Sequence, residues 1–170
     1  MQLTKFEIRK ATHNDIPQML GIYNDLILHT TAVYSNEPHT IQMRTEWFET
    51  KQQQGFPVYV AAQEDIILGF ATFGPFRSWP GYKFTVENSV YVSEQVRGKG
   101  IGKLLLAKTI EAAKALNIHV MIAGIDADNA VSIKMHEQFG FVEAAHLKQV
   151  GFKFNRWLDL KFLQLILQVQ

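Results

Sequence analysis

Leu3 to Ile8 approximates the two-residue alternation of a strand with one buried face. Thr12 then stands as an N-cap before Ile16, Met19, Leu20, Tyr23, Leu26 and Ile27, whose spacing predicts one apolar helix face. Pro17 falls early, where a first helical turn tolerates it. Residues 30–39, TTAVYSNEPH, show no period and read as a loop, a candidate lid. Thr40 to Gln54 reads as a second helix stopped by Gly55. Two β-branched or aromatic runs, Pro57–Gln63 and Ile66–Phe73, flank Glu64-Asp65 in the pattern of a hairpin. GPFRSWPGY, 74–82, is a Gly/Pro-rich connection with embedded aromatics and one arginine, and Lys83–Val92 is a further strand. Gly100 to Leu116 predicts a long helix whose apolar stripe is expected at 101, 104 and 105 with the stem of Lys108. Val120–Ile125 reads as a short buried strand and Asn129–Phe139 as a short helix closed by Gly140; Phe141–Gln149 and Phe154–Leu167 supply the last strands. No repeat, linker or low-complexity tract interrupts this order. The expectation is one mixed α/β domain over 1–170, with a sheet built mostly from adjacent strands and helices packed on its faces.

Composition narrows the chemistry. Of 170 residues, 47% are apolar and 19% charged, so a sizeable core is available and a disordered chain is excluded. Seventeen Lys+Arg against sixteen Asp+Glu leave +1, so no global field draws the protein to nucleic acid or an anionic membrane; an anionic ligand must be met locally. With no cysteine, disulfides, thiolate metal ligands and a cysteine nucleophile are excluded, and the absence fits a reducing cytoplasm. The N-terminus lacks a signal-peptide pattern, and no stretch approaches the ~20 apolar residues of a bilayer span. A soluble, cytoplasmic protein is expected. The histidines show no metal-ligand spacing, and no metal is expected.

The most informative segment runs Val90-Tyr91-Val92-Ser93-Glu94-Gln95-Val96-Arg97-Gly98-Lys99-Gly100-Ile101-Gly102-Lys103: a strand, a glycine-rich turn, then the long helix. Glycines at alternate positions let a ligand approach backbone N–H groups, and a helix N-terminus adds partial positive charge, so phosphate oxygens are a natural ligand. Arg97, Lys99 and Lys103 add full charges. A Rossmann pattern fails at Lys103 or at Leu105, depending on the glycine it starts from, and a Walker A loop fails at Arg97 and Leu104. Neither a dinucleotide nor ATP is favoured, and a plain strand-to-helix connection is the alternative.

Arg97-x-x-Gly100-x-Gly102 after Val-Tyr-Val resembles the acetyl-CoA pyrophosphate loop of the GNAT N-acetyltransferase superfamily. Asp126 to Phe141, containing Asn129-x-x-Ser132 and closing on Gly140-Phe141, resembles that superfamily's second cofactor motif. Two motifs in order are more specific than either alone. Val86–Val92 and the tail Gly151–Asp159 are similar to the phosphinothricin and methionine sulfoximine acetyltransferase branch, so the resemblance spans nearly the whole chain. It implies a GNAT-like α/β fold with a mixed, mostly antiparallel central sheet flanked by helices. It also implies acetyl-CoA as co-substrate, a small amino acid such as phosphinothricin, methionine sulfoximine or methionine sulfone as acceptor, and a homodimer.

Acetyl transfer to an amine needs a neutral nucleophile, a thioester within reach and donors aimed at the developing oxyanion. Glu87 matches the position of the branch's general base, and its alternative is a solvated strand carboxylate. Alternation puts Glu87, Ser89 and Tyr91 on one strand face and Asn88, Val90 and Val92 on the other. The resemblance assigns the amides of Val90, Tyr91 and Val92 to the acetyl carbonyl and pantetheine arm. It assigns Arg97, Gly98, Lys99, Gly100, Ile101, Gly102 and Lys103 to the pyrophosphate, and Asn129 with Ser132 to the pantetheine or phosphate end; an N-cap and a first-turn residue are the plain readings of the last two. Arg77 is the candidate for the substrate carboxylate, since a guanidinium grips it with paired hydrogen bonds. Trp79, Tyr34, Asn88 and Ser89 complete the substrate candidates. His136 departs from the family, many of whose members place a thiolate-protonating tyrosine there. A polyamine, an aminoglycoside or a protein N-terminus as acceptor, or a non-catalytic CoA-binding sensor, are the competing readings.

Overall fold

The computed structural model describes residues 6–167. The chain runs β1 (Glu7–Lys10), α1 (Ile16–His29), α2 (Ile41–Gln53), β2 (Val58–Gln63), β3 (Ile66–Pro75), β4 (Thr85–Val92), α3 (Ile101–Ala115), β5 (Val120–Asp126), α4 (Ala130–Glu137), β6 (Val142–Lys153) and β7 (Arg156–Ile166). The strand expected from Leu3 lies partly outside the described residues and is seen from Glu7. Thr12 opens a 3-10 turn, His13–Asp15, ahead of α1 rather than α1 itself. Asp15 there is buried, paired with Arg9 at 2.7 Å, and its carboxyl is held below the usual carboxylate range by that guanidinium. Thr40 caps α2 by accepting from the Met43 N–H.

The strands form one sheet in the order β1-β2-β3-β4-β5-β7-β6. Each neighbouring pair is antiparallel except β4 with β5, which is parallel. That pair decides the architecture of the site. Its ladder covers only Thr85↔Val120 to Glu87↔Ile122, while β4 continues to Val92 and β5 to Asp126, so the sheet is open between their C-terminal halves.

Helices cover both faces. Phe48 of α2 packs with Ile16 and Met19 against Val58, Val60 and Phe70 on one side. Leu106 and Ala113 of α3 pack with Phe73, Val86, Met121 and Leu163 on the other. The buried face of α3 is Ile101, Leu105, Leu106, Thr109 and Ala113, whereas Leu104 is half exposed, which corrects the expected stripe. Thr109 reads as polar but donates its hydroxyl to Leu106 O at 2.8 Å, so it can be buried without loss. The last hairpin also differs from expectation: β6 runs on to Lys153, and Phe154-Asn155 form the turn with φ of 50° and 57°. Among the described residues no helix is long and apolar enough to cross a membrane.

Candidate active site

A cavity of about 270 Å³ occupies the opening between β4 and β5. Its lining comes from both faces of the sheet. Glu87, Ser89 and Tyr91 lie on the face covered by α1 and α2: Gly74, paired with Glu87, would direct a side chain at Lys51 of α2, and the Tyr91 ring packs on Tyr23 of α1. Asn88, Val90 and Val92 lie on the α3–α4 face, where the Val92 side chain and Met135 of α4 both lie against Gly102 of α3. The sequence alternation therefore places these residues as the structure has them.

The register determines which amides face the opening. Ser93 donates its backbone N–H to Leu68 O at 2.9 Å, and the pairing continues through Phe70↔Tyr91, Thr72↔Ser89 and Gly74↔Glu87. Every second residue of an antiparallel strand bonds its partner, so the N–H groups of Ser89 and Tyr91 are used by β3. Those of Val90 and Val92 point the other way, into the opening. Tyr91 is thus corrected as a backbone donor; its phenol is buried and pushed up to about 12.

The Glu87 side chain makes no hydrogen bond or ion pair among the described residues, and burial raises its pKa. Its Oε1 lies 2.7 Å from where a side chain on Gly124 would begin, so the glycine of β5 makes room for the carboxyl. Asp126, two residues further along the same face, lines the cavity as a second carboxylate. Its Oδ1 accepts from the Asp128 N–H at 2.8 Å, while its buried Oδ2 has no partner among the described residues. Tyr34 closes this side, donating its hydroxyl to Asp159 O at 2.9 Å. Burial first, then the charges of Asp126, Asp128 and Asp159, push its phenol up to about 12.

On the α3–α4 side, Asn129 caps α4 by accepting from the Ser132 N–H at 3.1 Å, and both residues line the cavity. His136 is buried, with Nδ1 2.8 Å from Ser132 O and Nε2 3.1 Å from the Asn88 amide nitrogen. A carbonyl can only accept, so Nδ1 carries the proton and Nε2 receives the Asn88 donor. Burial lowers the His136 pKa, and the neutral ring has no proton on Nε2 to give. Asn88, expected beside the substrate, lines the cavity and is bound to His136 on the face away from Glu87.

The glycine loop leads into α3 with Gly98 and Gly100 at φ of 76° and 82°, where a side chain is strained. The Leu104 N–H bonds Gly100 O, so the preceding N–H groups of Ile101, Gly102 and Lys103 have no partner within the helix. No acidic residue occupies the first turn. Ile101 is in the core, and Gly102 serves close packing, since a Cβ there would lie 3.1 Å from Met135 Sδ. Arg97, Lys99 and Lys103 are exposed around the loop.

Arg77 and Trp79 are not in the cavity lining. Both are exposed, Trp79 by 61%. Their link to the site is the neighbouring Phe76, whose ring packs on Phe162 at 6.1 Å beside Gly124, at the edge of the Glu87 face. The sequence reading did not single out Gly124, Asp126, Leu160 or Lys51. Lys51 donates to Phe73 O at 2.9 Å in the space over Gly74, and burial pulls its ammonium down to about 8. Among the described residues no cluster of His, Asp and Glu could hold a metal.

Residues 20–141 match the model of the acetyltransferase (GNAT) family. The chain belongs to the GNAT family of acetyltransferases. It is 43% identical to an L-methionine sulfoximine/L-methionine sulfone acetyltransferase of Salmonella typhimurium, over 93% of this chain and 92% of the relative. To the L-amino acid N-acyltransferase MnaT of Escherichia coli it is 42% identical, with the same coverage of both. Among solved structures, a ribosomal-protein-alanine N-acetyltransferase of Brucella melitensis is 48% identical with a TM-score of 0.93, over 95% of this chain and 99% of that one. A phosphinothricin acetyltransferase of Sinorhizobium meliloti in complex with acetyl-CoA is 36% identical with a TM-score of 0.93, over 95% of this chain and 88% of that one. This GNAT chain is accordingly an N-acyltransferase, and the opening between β4 and β5 is its candidate active site.

Proposed function

We propose that this protein transfers the acetyl group of acetyl-CoA to the α-amino group of a small amino acid or analogue of the methionine sulfoximine, methionine sulfone or phosphinothricin type. The observation that carries the reading is a single cavity reaching both faces of the sheet, with Glu87 on one side and the α3–α4 face on the other. Acetyl-CoA supplies an activated acetyl group as its thioester. The N–H groups at the start of α3 that have no partner within the helix, with Arg97, Lys99 and Lys103 near them, suit its pyrophosphate. The Val90 and Val92 N–H groups suit the acyl oxygen and the pantetheine arm, with Asn129 and Ser132 further along. From the opposite face the acceptor reaches Glu87, which takes the proton an ammonium must lose before its nitrogen can attack. The thiolate leaves without a proton from His136, in keeping with the acidity of its thiol.

Free CoA release, followed by thiol titration over a panel of amino acids, their sulfoximine, sulfone and phosphinate analogues, polyamines, aminoglycosides and an alanine-starting peptide, tests the proposal. The protein has no cysteine to add to the signal. Saturable turnover with the small amino-acid analogues is expected. Turnover restricted to the peptide would favour the second reading, which the Brucella melitensis relative supports. Turnover restricted to polycations would overturn the acceptor class.

The cofactor loop carries its own prediction. Gly100→Val places a β-branched residue at φ of 82°. The strain, roughly 1–2 kcal/mol, is expected to raise KM for acetyl-CoA about tenfold in initial-rate measurements while KM for the acceptor stays constant.

The same proposal includes a homodimer in the cytoplasm as the working form. Phe152, Phe154 and Trp157 are each at least half exposed around the tip of the β6–β7 hairpin, and Trp79 and Phe84 are exposed in the connection before β4. Aromatic rings in that number on a surface suit burial against a second copy. Sedimentation at micromolar concentration is expected to give a dimer for the native chain and a monomer for Trp157→Glu.

A further inference from the structure

Residues 30–34 form no helix or strand, yet Ala32, Val33 and Tyr34 line the cavity on the side that Glu87 faces. The end of the β6–β7 hairpin holds them. Lys153, only 2% exposed, donates Nζ to Thr30 O at 2.8 Å and to Val33 O at 2.7 Å. No carboxylate pairs with it among the described residues, and burial pulls its ammonium pKa down. A buried lysine without an anion is costly to the fold, and here its hydrogen bonds are spent on a loop. Two residues earlier, a Cβ on Gly151 would lie 2.5 Å from Tyr34 Cε2 and 2.6 Å from Cδ2, so the Tyr34 ring fills the place of the missing side chain. The Tyr34 hydroxyl completes the attachment at Asp159 O on β7.

We propose that Lys153 and Gly151 are positioning residues for the acceptor, holding segment 30–34 against the hairpin so that Val33 and Tyr34 set the size of the cavity beside Glu87. The inference rests on the reading above in taking the Glu87 face as the acceptor side. It separates two groups of residues: those that bind acetyl-CoA from the α3–α4 face, and a hairpin clasp that shapes only the acceptor half.

The test uses the full chain with Lys153→Met, which keeps the stem and removes the donor, and Gly151→Ala, which displaces the Tyr34 ring. Each variant is expected to raise KM for the amino-acid acceptor about tenfold, the loss of one or two charge-assisted hydrogen bonds or of one fitted wall, while KM for acetyl-CoA stays within about twofold. Hydrogen exchange of the amides of residues 31–34 is expected to quicken in Lys153→Met, with α2 and β4 unchanged. Unchanged acceptor KM in both variants, or equal rises for acceptor and acetyl-CoA, would overturn the proposal, as would faster exchange without a change in acceptor KM. Should the native chain turn over no amino acid, the functional reading fails by itself; the exchange of 31–34 in Lys153→Met then decides the clasp, faster exchange supporting it and unchanged exchange removing it.

Discussion

Glu87→Gln is expected to lower acetyl transfer about 100- to 10,000-fold, the range over which a positioned general base contributes, while acetyl-CoA binding stays intact. Glutamine keeps the shape of the side chain in the space that Gly124 leaves for it but cannot accept the acceptor's proton. Initial rates over a pH series check the assignment. The Glu87 carboxyl is half-buried with no compensating partner among the described residues, so its pKa in the folded protein lies above its unfolded value. Below that pKa the carboxyl is protonated and useless as a base, so kcat/KM is expected to fall with acidification above the ordinary carboxylate range. The residual activity of Glu87→Gln should lack this limb. Linkage gives the stability side the opposite sign: a raised carboxyl pKa favours the fold below the unfolded pKa, and that contribution is lost as pH rises through the folded one. At neutral pH the native carboxylate therefore weighs against folding, and Glu87→Gln is expected to melt no lower than the native protein. Full turnover in Glu87→Gln at every pH would remove Glu87 as the base.

Gly124→Ala is expected to cost about 100-fold in kcat without touching the base itself, on the scale that small displacements of a catalytic group carry. The new methyl would begin 2.7 Å from Glu87 Oε1 and 3.3 Å from Phe162 Cε1. The carboxyl end of Glu87 is the more mobile of the two, so it swings away from the opening. The fold should absorb the change with little loss of Tm, because the group that moves is a side-chain end rather than backbone. KM for acetyl-CoA should hold, since β5 contributes Gly124 to the face away from α3 and α4. Native kcat in Gly124→Ala would mean that the resting place of the carboxyl is not where it works.

Local order was legible in the chain because it is written in local periods. The β2–β3 hairpin, the extent of α2, the glycine-rich entry to α3 and the face carrying Glu87, Ser89 and Tyr91 follow from spacing alone. The phase of α3 did not. Leu104 is apolar and half exposed while Thr109 is polar and buried, because a hydroxyl that bonds its own helix no longer needs water. Nor does spacing place the β6–β7 turn, because Phe154 takes a left-handed conformation that side chains rarely adopt. Arg77 and Trp79 sit on a connection whose composition suits a pocket wall, yet the chain leaves both on the surface.

By itself the sequence determined the element order, the glycine-rich entrance to α3, the side of β4 that bears the carboxylate and the resemblance that names the family. Only the tertiary structure decided that β4 and β5 part company after Glu87↔Ile122, and hence that a cavity exists there at all. It alone brought Gly124 against Glu87, left Asp126 Oδ2 without a partner among the described residues, and closed Tyr34 and Lys153 over contacts more than a hundred residues apart in the chain. The physical reason is the range of the forces involved. Backbone conformation and amphipathic period act over a few residues and leave a trace in the string of letters. The meeting of two strands, and the fit of a ring into a missing side chain, depend on how the whole sheet pairs and twists.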